Sequence, residues 1–247
     1  MSTQPAELLQ AAKLLSIGEP FLAERTATAG LRRYPDHGRL LQVRGIARHY
    51  LLHVGPAISD LEAAMTLVPL DPLAVWCLAD AYENQHRTEL ARPLVRWLVH
   101  RADCPQRLFP RVARMLTRLG EDEAALQAWE HLDLLQPNDA STLFEMAYLM
   151  SRLGYSPRVV LPRLQRAMEL DPAEISYRVQ YAVMELTLGQ SDIGKRILLD
   201  LTAERVACPH LATRIARALE TIERPDRATA WWRRSIELAR DPGYVVE

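Results

Sequence analysis

The segment Gly189-Gln190-Ser191-Asp192-Ile193-Gly194-Lys195 comes nearest in this chain to a known chemical motif, matching the first seven positions of a phosphate-binding loop. Such a loop needs a serine or threonine hydroxyl at its eighth position to reach magnesium, and Arg196 stands there. A helical pattern rather than a strand leads into it, and its glycines have a simpler use: Gly189 suits a turn and Gly194 a close helix contact. His49 and His53 lie one helical turn apart and could begin a metal site, but no third ligand accompanies them. His100 with Cys104, and Cys208 with His210, are incomplete in the same way. The sequence holds no G-x-S-x-G, no H-E-x-x-H and no cysteine with a recognisable histidine partner. Glu121, Glu123 and Asp192 fall at helix starts, where the helix dipole favours acids. Nothing here composes a catalytic centre, so the chain is read as a non-enzyme with no cofactor and no metal.

The elements that position these residues follow a repeat. Pro35, Pro69, Pro105, Pro137, Pro172, Pro209 and Pro242 recur at spacings of 34, 36, 32, 35, 37 and 33 residues. A proline just past a helix end stops the helix, because it lacks an N–H and crowds the preceding turn. Between prolines the apolar residues keep a helical period, and Gly18, Gly120, Gly154 and Gly189 divide their units at equivalent points. Each unit therefore reads as helix, tight turn, helix, stop. Small residues give an independent register: Ala11, Gly45, Ala79, Ala113, Ala147, Ala182 and Ala216 in the first helices, and Ala23, Ala57, Ala91, Ala125, Val160, Gly194 and Ala228 in the second. Helices approach closely only where side chains are small. Four positions on, Leu61, Val95, Trp129, Leu164, Leu198 and Trp232 are placed to fill the space toward the next unit.

A period of about 34 residues with this pattern resembles the tetratricopeptide repeat. The third unit (Val75, Leu78, Ala79, Tyr82, Ala91) is the closest, and the fifth (Leu143, Met146, Ala147, Met150, Gly154, Ala167, Pro172) nearly matches it. The resemblance covers residues 4–242 as one domain of seven units, with 243–247 a short tail. Arg44, Arg48 and Glu185 depart from the pattern. The resemblance implies an all-α, right-handed α-solenoid superhelix whose first helices line a concave, partner-binding groove. Stacked repeats of this kind share one continuous core and end in polar caps.

Composition agrees with a soluble helical protein: 49% hydrophobic, 25% charged and 6% aromatic residues. The net charge of -1 gives no overall pull toward nucleic acid or anionic lipid. Lys13 and Lys195 are the only lysines, so the cations are almost all arginine, which offers a planar bidentate fork. Cys77, Cys104 and Cys208 form no CxxC pair and read as small hydrophobes of a reducing compartment. No signal peptide and no membrane-length apolar run is present, so the cytoplasm is expected.

The groove positions that the resemblance implies carry Arg107, Arg111, Arg114 and Arg118 in the fourth unit, Arg152 in the fifth, and Arg214 and Arg217 in the seventh. Trp76, Phe144 and Tyr148 add apolar surface, with Asp80, Asn84 and Glu145 as polar neighbours. Four like charges on one stripe repel and need solvent or an anionic ligand; acidic side chains or a chain-end carboxylate would suit them. Chaperone-binding relatives clamp a terminal carboxylate with lysine and asparagine at the fifth and ninth positions of successive first helices. Those positions here hold Leu8, Gln42, Trp76, Pro110 and Phe144, and Ala12, Ile46, Asp80, Arg114 and Tyr148, so that clamp is absent. Interleaved acids argue against nucleic acid. The expected partner is another protein, bound through an acidic or extended segment. The alternative is a homo-oligomer formed through the C-terminal face, where Trp231, Trp232 and Ile236 lack an evident cap.

Overall fold

The computed structural model describes residues 5–189, 191–203 and 206–240. Among these the chain is all-α, with no strand. Its helices are α1 (Ala6–Ser16), α2 (Pro20–Arg33), α3 (Gly38–Tyr50), α4 (Val54–Leu67), α5 (Pro72–Asn84), α6 (Thr88–Val99) and α7 (Phe109–Arg118). They continue with α8 (Asp122–Leu135), α9 (Ala140–Arg152), α10 (Pro157–Leu170), α11 (Ile175–Thr187), α12 (Ser191–Leu199), α13 (Pro209–Thr221) and α14 (Pro225–Ala239). The chain forms two compact units, Met1–Trp129 and Glu130–Glu247, with the boundary inside α8. In the first unit α1 pairs with α2, α3 with α4 and α5 with α6, while the first helices α1, α3 and α5 also pack side by side. The second unit repeats the scheme with α9/α10, α11/α12 and α13/α14, and α11 against α13.

A left-handed residue makes every within-pair turn. Gly18, Gly120, Gly154 and Gly189 take φ of +75 to +81°, and Leu52, His86 and Glu223 occupy the same place in the other pairs at 58 to 60°. The following residue donates its N–H to a carbonyl five residues back: Glu19 to Leu14, His53 to Arg48, Arg87 to Tyr82, Glu121 to Leu116, Tyr155 to Met150 and Arg224 to Leu219, each at 2.9 Å. This closure satisfies carbonyls that the helix end leaves open. A Cβ added at Gly154 would meet no atom within 4 Å, so only its φ of +79° resists substitution. Gly154→Ala is therefore expected to cost about 1 kcal/mol in urea unfolding, the left-handed penalty of a residue with a Cβ.

The proline register holds in part. Pro35, Pro69, Pro137 and Pro172 each stand just beyond the ends of α2, α4, α8 and α10. Pro209 instead opens α13, where a missing N–H costs nothing, and Pro105 precedes a single 3₁₀ turn, Gln106–Leu108. Pro242 and the 243–247 tail lie outside the described residues.

The small-residue registers are buried throughout. Ala11, Ala79, Ala113, Ala147, Ala182 and Ala216, with Ala23, Ala57, Ala91, Ala125 and Val160, expose no surface. At Gly45 a Cβ would sit 2.6 Å from Leu61 Cγ, so the second pair could not close on an alanine without displacing Leu61. Leu61, Val95, Trp129, Leu164 and Leu198 fill the core as expected. The last pair differs. On α14 the buried stripe runs Ala228, Trp231, Ser235, so Trp231 enters the core beside Leu219 and Ile215. Trp232 stays at the rim, its Nε1 donating to Glu220 Oε1 at 2.8 Å.

Arg44 and Arg48, the sequence departures on α3, are held by ion pairs. Arg44 grips Asp60 through Nε and Nη2 at 2.8 and 2.7 Å. Arg48 reaches Asp60 at 3.0 Å through Nη1 and Glu24 at 2.8 Å through Nε. Asp60 itself is buried on α4, so charge complementarity replaces apolar packing at this crossing. Glu185, the departure on α11, is also buried and hydrogen-bonds with the Tyr181 phenol, which burial and this bond push up to about 12.

Candidate functional site

On the first unit, side chains from α3, α5 and α7 meet on the face made by the first helices. Trp76, Asp80 and Asn84 follow one another at single-turn intervals along α5. His49 of α3 shares a 2.8 Å hydrogen bond between its Nε2 and Asp80 Oδ2, and Asn84 Nδ2 donates to the same oxygen at 3.2 Å. Asp80 thus ties two first helices together. The Trp76 ring is buried, with the edge of His49 on one contact (centroids 5.4 Å apart) and the Arg111 guanidinium over its face at 5.1 Å. A cation so placed is attracted by the ring quadrupole and shields the indole from water.

The arginine stripe divides by partner. Arg118 is locked to Glu83 of α5 by two bonds of 2.9 and 2.7 Å, and this pairing raises its guanidinium above the ordinary arginine value. Arg111 is committed to Trp76. Arg107 and Arg114 are exposed, and among the described residues neither has an ion pair or hydrogen-bond partner for its side chain. Arg107 also lies in the 3₁₀ turn rather than in α7, since Phe109 and Pro110 begin that helix. The four arginines therefore do not form one continuous α-helical stripe.

The remaining sequence candidates belong to the second unit. Phe144 of α9 packs against Tyr177 of α11, with ring centroids 4.8 Å apart, and so serves the contact between first helices. Tyr148 and Glu145 are half-buried on α9, and the Arg152 guanidinium lies 5.7 Å from the Tyr148 ring centroid. The sequence candidates thus form two sets. Trp76 is joined to Arg111 and shares α5 with Asp80 and Asn84, while Phe144, Glu145, Tyr148 and Arg152 share α9. Trp231 and Trp232 were expected to form one open face. Trp231 is instead enclosed by its own unit, because the buried stripe of α14 passes through 231 rather than 232.

The groups with chemical potential are otherwise engaged. His49 bonds to Asp80, whereas His53 Nδ1 faces Glu24 at 3.9 Å, so the two rings do not converge. Among the described residues no group of three or more His, Cys, Asp and Glu side chains could hold a metal ion. Burial, with Asp80 nearby, pushes the Cys77 thiol far above its ordinary value, and an uncharged thiol is a poor nucleophile. Within the loop-like motif, Gly194 packs against Ala182 and Leu186, which is a structural use. Sequence reasoning weighed His49 only as an incomplete metal ligand and did not single out Glu83. Both fall at the twelfth position of their first helices, so the repeat register places them on one face.

No family model matches the chain, and no curated protein matches its sequence. Solved structures do resemble it. One is the C-terminal part of a TPR repeat-containing protein from Cytophaga hutchinsonii, at 15% identity over 96% of both chains with a TM-score of 0.62. A tetratricopeptide repeat protein from Parabacteroides merdae gives 13% identity over 96% of this chain and 93% of that one, with a TM-score of 0.61. A human IFIT1 dimer with m7Gppp-AAAA gives 14% identity and a TM-score of 0.55, over 95% of this chain and 58% of that one. At such identities the likeness is one of fold.

Proposed function

We propose, from the premise that this chain has the tetratricopeptide-repeat fold, that it is a protein-interaction scaffold whose first unit holds an extended acidic segment of a partner. The observation that carries this reading is the pair Arg107 and Arg114, two guanidiniums without anions on either side of the Trp76-bound Arg111. The other arginines on this unit's first helices, Arg39, Arg44, Arg48 and Arg118, already hold carboxylates. An incoming carboxylate would gain charge-assisted, bidentate bonds, and the fixed Trp76–Arg111 stack lowers the entropy lost in ordering the site. The reading requires no catalytic group.

Self-association through the C-terminal face loses its main support with the burial of Trp231. No helix among the described residues is long and apolar enough to cross a membrane. The buried thiols of Cys77 and Cys104 support a reducing compartment, and we place the protein in the cytoplasm.

The test is a titration with an amidated, N-acetylated peptide alternating Glu and Gly, against the same peptide with Gln in place of Glu. The Glu peptide is expected to bind the wild type, and Arg111→Glu/Arg114→Glu to weaken it by about tenfold or more, a loss of about 1.4 kcal/mol. Binding should also weaken as salt rises. Equal binding of both peptides, or no loss in a variant of unchanged helicity, would remove the acidic-segment reading.

A further inference from the structure

Among the described residues, the turn between α3 and α4 is the one within-pair turn that puts an apolar residue at its left-handed position. Leu52 takes φ of +60° there, where the other turns hold glycine, His86 or Glu223, and its side chain is 82% exposed. A leucine in this conformation is strained by its own Cβ, and so open a side chain gains no burial in return. Backbone outliers that packing does not explain cluster at functional sites.

Leu52 belongs to a larger apolar edge. Tyr50, at the end of α3, is 45% exposed, and the turn between α1 and α2 bears Ile17 at 62% and Phe21 at 58%. Glu24 joins these two turns. It stands one turn beyond Phe21 on α2, accepts from Arg48 Nε at 2.8 Å and faces His53 Nδ1 at 3.9 Å, and Arg48 and His53 bracket Tyr50 and Leu52. The third turn, Gln85-His86-Arg87, is polar, so the edge ends with the second pair. Side chains this open do not line a groove; they are tips.

The charges beside the tips are mostly positive. Arg48 holds Glu24, which leaves Lys13, Arg25 and Glu19 as the exposed charges of this edge without an ion-pair partner. The Arg25 guanidinium lies 5.9 Å from the Phe21 ring centroid, so a cation accompanies an apolar tip directly. We infer that this edge of the first unit docks on the surface of an anionic lipid bilayer. Leu52, Ile17 and Phe21 would enter the acyl boundary, Tyr50 would sit at headgroup level, and Lys13 and Arg25 would meet the lipid phosphates. Apolar side chains flanked by cations bind such a surface by burial and by electrostatic attraction together, and a bilayer needs no concave wall to receive them. The overall charge of -1 does not oppose this, because a membrane's field falls off within a Debye length and acts on the nearest charges. The inference is independent of the acidic-segment reading, which uses other residues.

The test is flotation of the full chain with vesicles of equimolar phosphatidylcholine and phosphatidylserine, against vesicles of phosphatidylcholine alone. The wild type is expected to float with the anionic vesicles, to stay behind with the neutral ones, and to be released as salt rises. Leu52→Gly should weaken binding about tenfold while unfolding in urea no earlier than wild type, because glycine relieves the left-handed strain. That pairing of lost binding with kept stability separates a docking residue from a structural one. Lys13→Gln/Arg25→Gln, both at exposed positions, should also weaken binding about tenfold. No flotation with the anionic vesicles would leave the edge to a protein partner and overturn the assignment. Equal flotation with both vesicles, or undiminished flotation of Leu52→Gly, would overturn it as well.

Discussion

Asp60→Leu is expected to lower the stability of the first unit by about 3 kcal/mol, measured by urea unfolding. The carboxylate is almost fully buried and receives three of the bonds that Arg44 and Arg48 make. Removing it leaves two guanidiniums, 18% and 22% exposed, without their shared counter-charge. Their partial contact with water keeps the loss at the lower end of the range for a broken buried pair. Arg48 keeps Glu24, which moderates the loss further. A triple variant, Arg44→Met/Arg48→Met/Asp60→Leu, should recover most of the stability, because an apolar replacement of the whole network leaves no buried charge behind. Equal stability of Asp60→Leu and wild type would show that the network contributes nothing net.

Gly194→Ala is expected to destabilise the second unit by about 2–3 kcal/mol, as overpacking does when the obstacle cannot move. A Cβ there would lie 2.7 Å from the Ala182 backbone oxygen and 3.0 Å from Leu186 Cγ. Leu186 could shift, but the Ala182 carbonyl is fixed within α11. The contrast with Gly154, where a Cβ would meet open space, separates two reasons for glycine: close approach in one case and backbone handedness in the other. Urea unfolding of both variants checks the ordering. A smaller loss at Gly194 than at Gly154 would contradict the packing argument. The same comparison addresses the loop-like segment, because a packing glycine explains Gly194 without a phosphate.

The helix pairs, their order and their crossing points are legible in the residues alone. Those depend on local rules: the apolar period, the small residues at each crossing, and the prolines two residues past four of the helices. Local rules ran out where a side chain did not advertise its backbone. Leu52, His86 and Glu223 take the left-handed turn that glycine signals elsewhere, because pairing two helices at fixed length demands the turn whatever residue is present. On α14, adjacent tryptophans offered two equally apolar choices, and only the packing against α13 put Trp231 inside.

Charge pairing follows from which helices come together in space. From sequence, Arg107, Arg111, Arg114 and Arg118 look alike, and Arg44 and Arg48 look misplaced. Their partners lie far along the chain: Glu83 is 35 residues from Arg118, and Asp60 is 16 residues from Arg44. A Coulomb interaction depends on distance in space and on local burial, neither of which a residue's neighbours in sequence fix. The fold therefore sorts the arginines of the first unit's groove face into Arg118, already neutralised by Glu83, Arg111, stacked on Trp76, and Arg107 and Arg114, which have no ion-pair partner among the described residues.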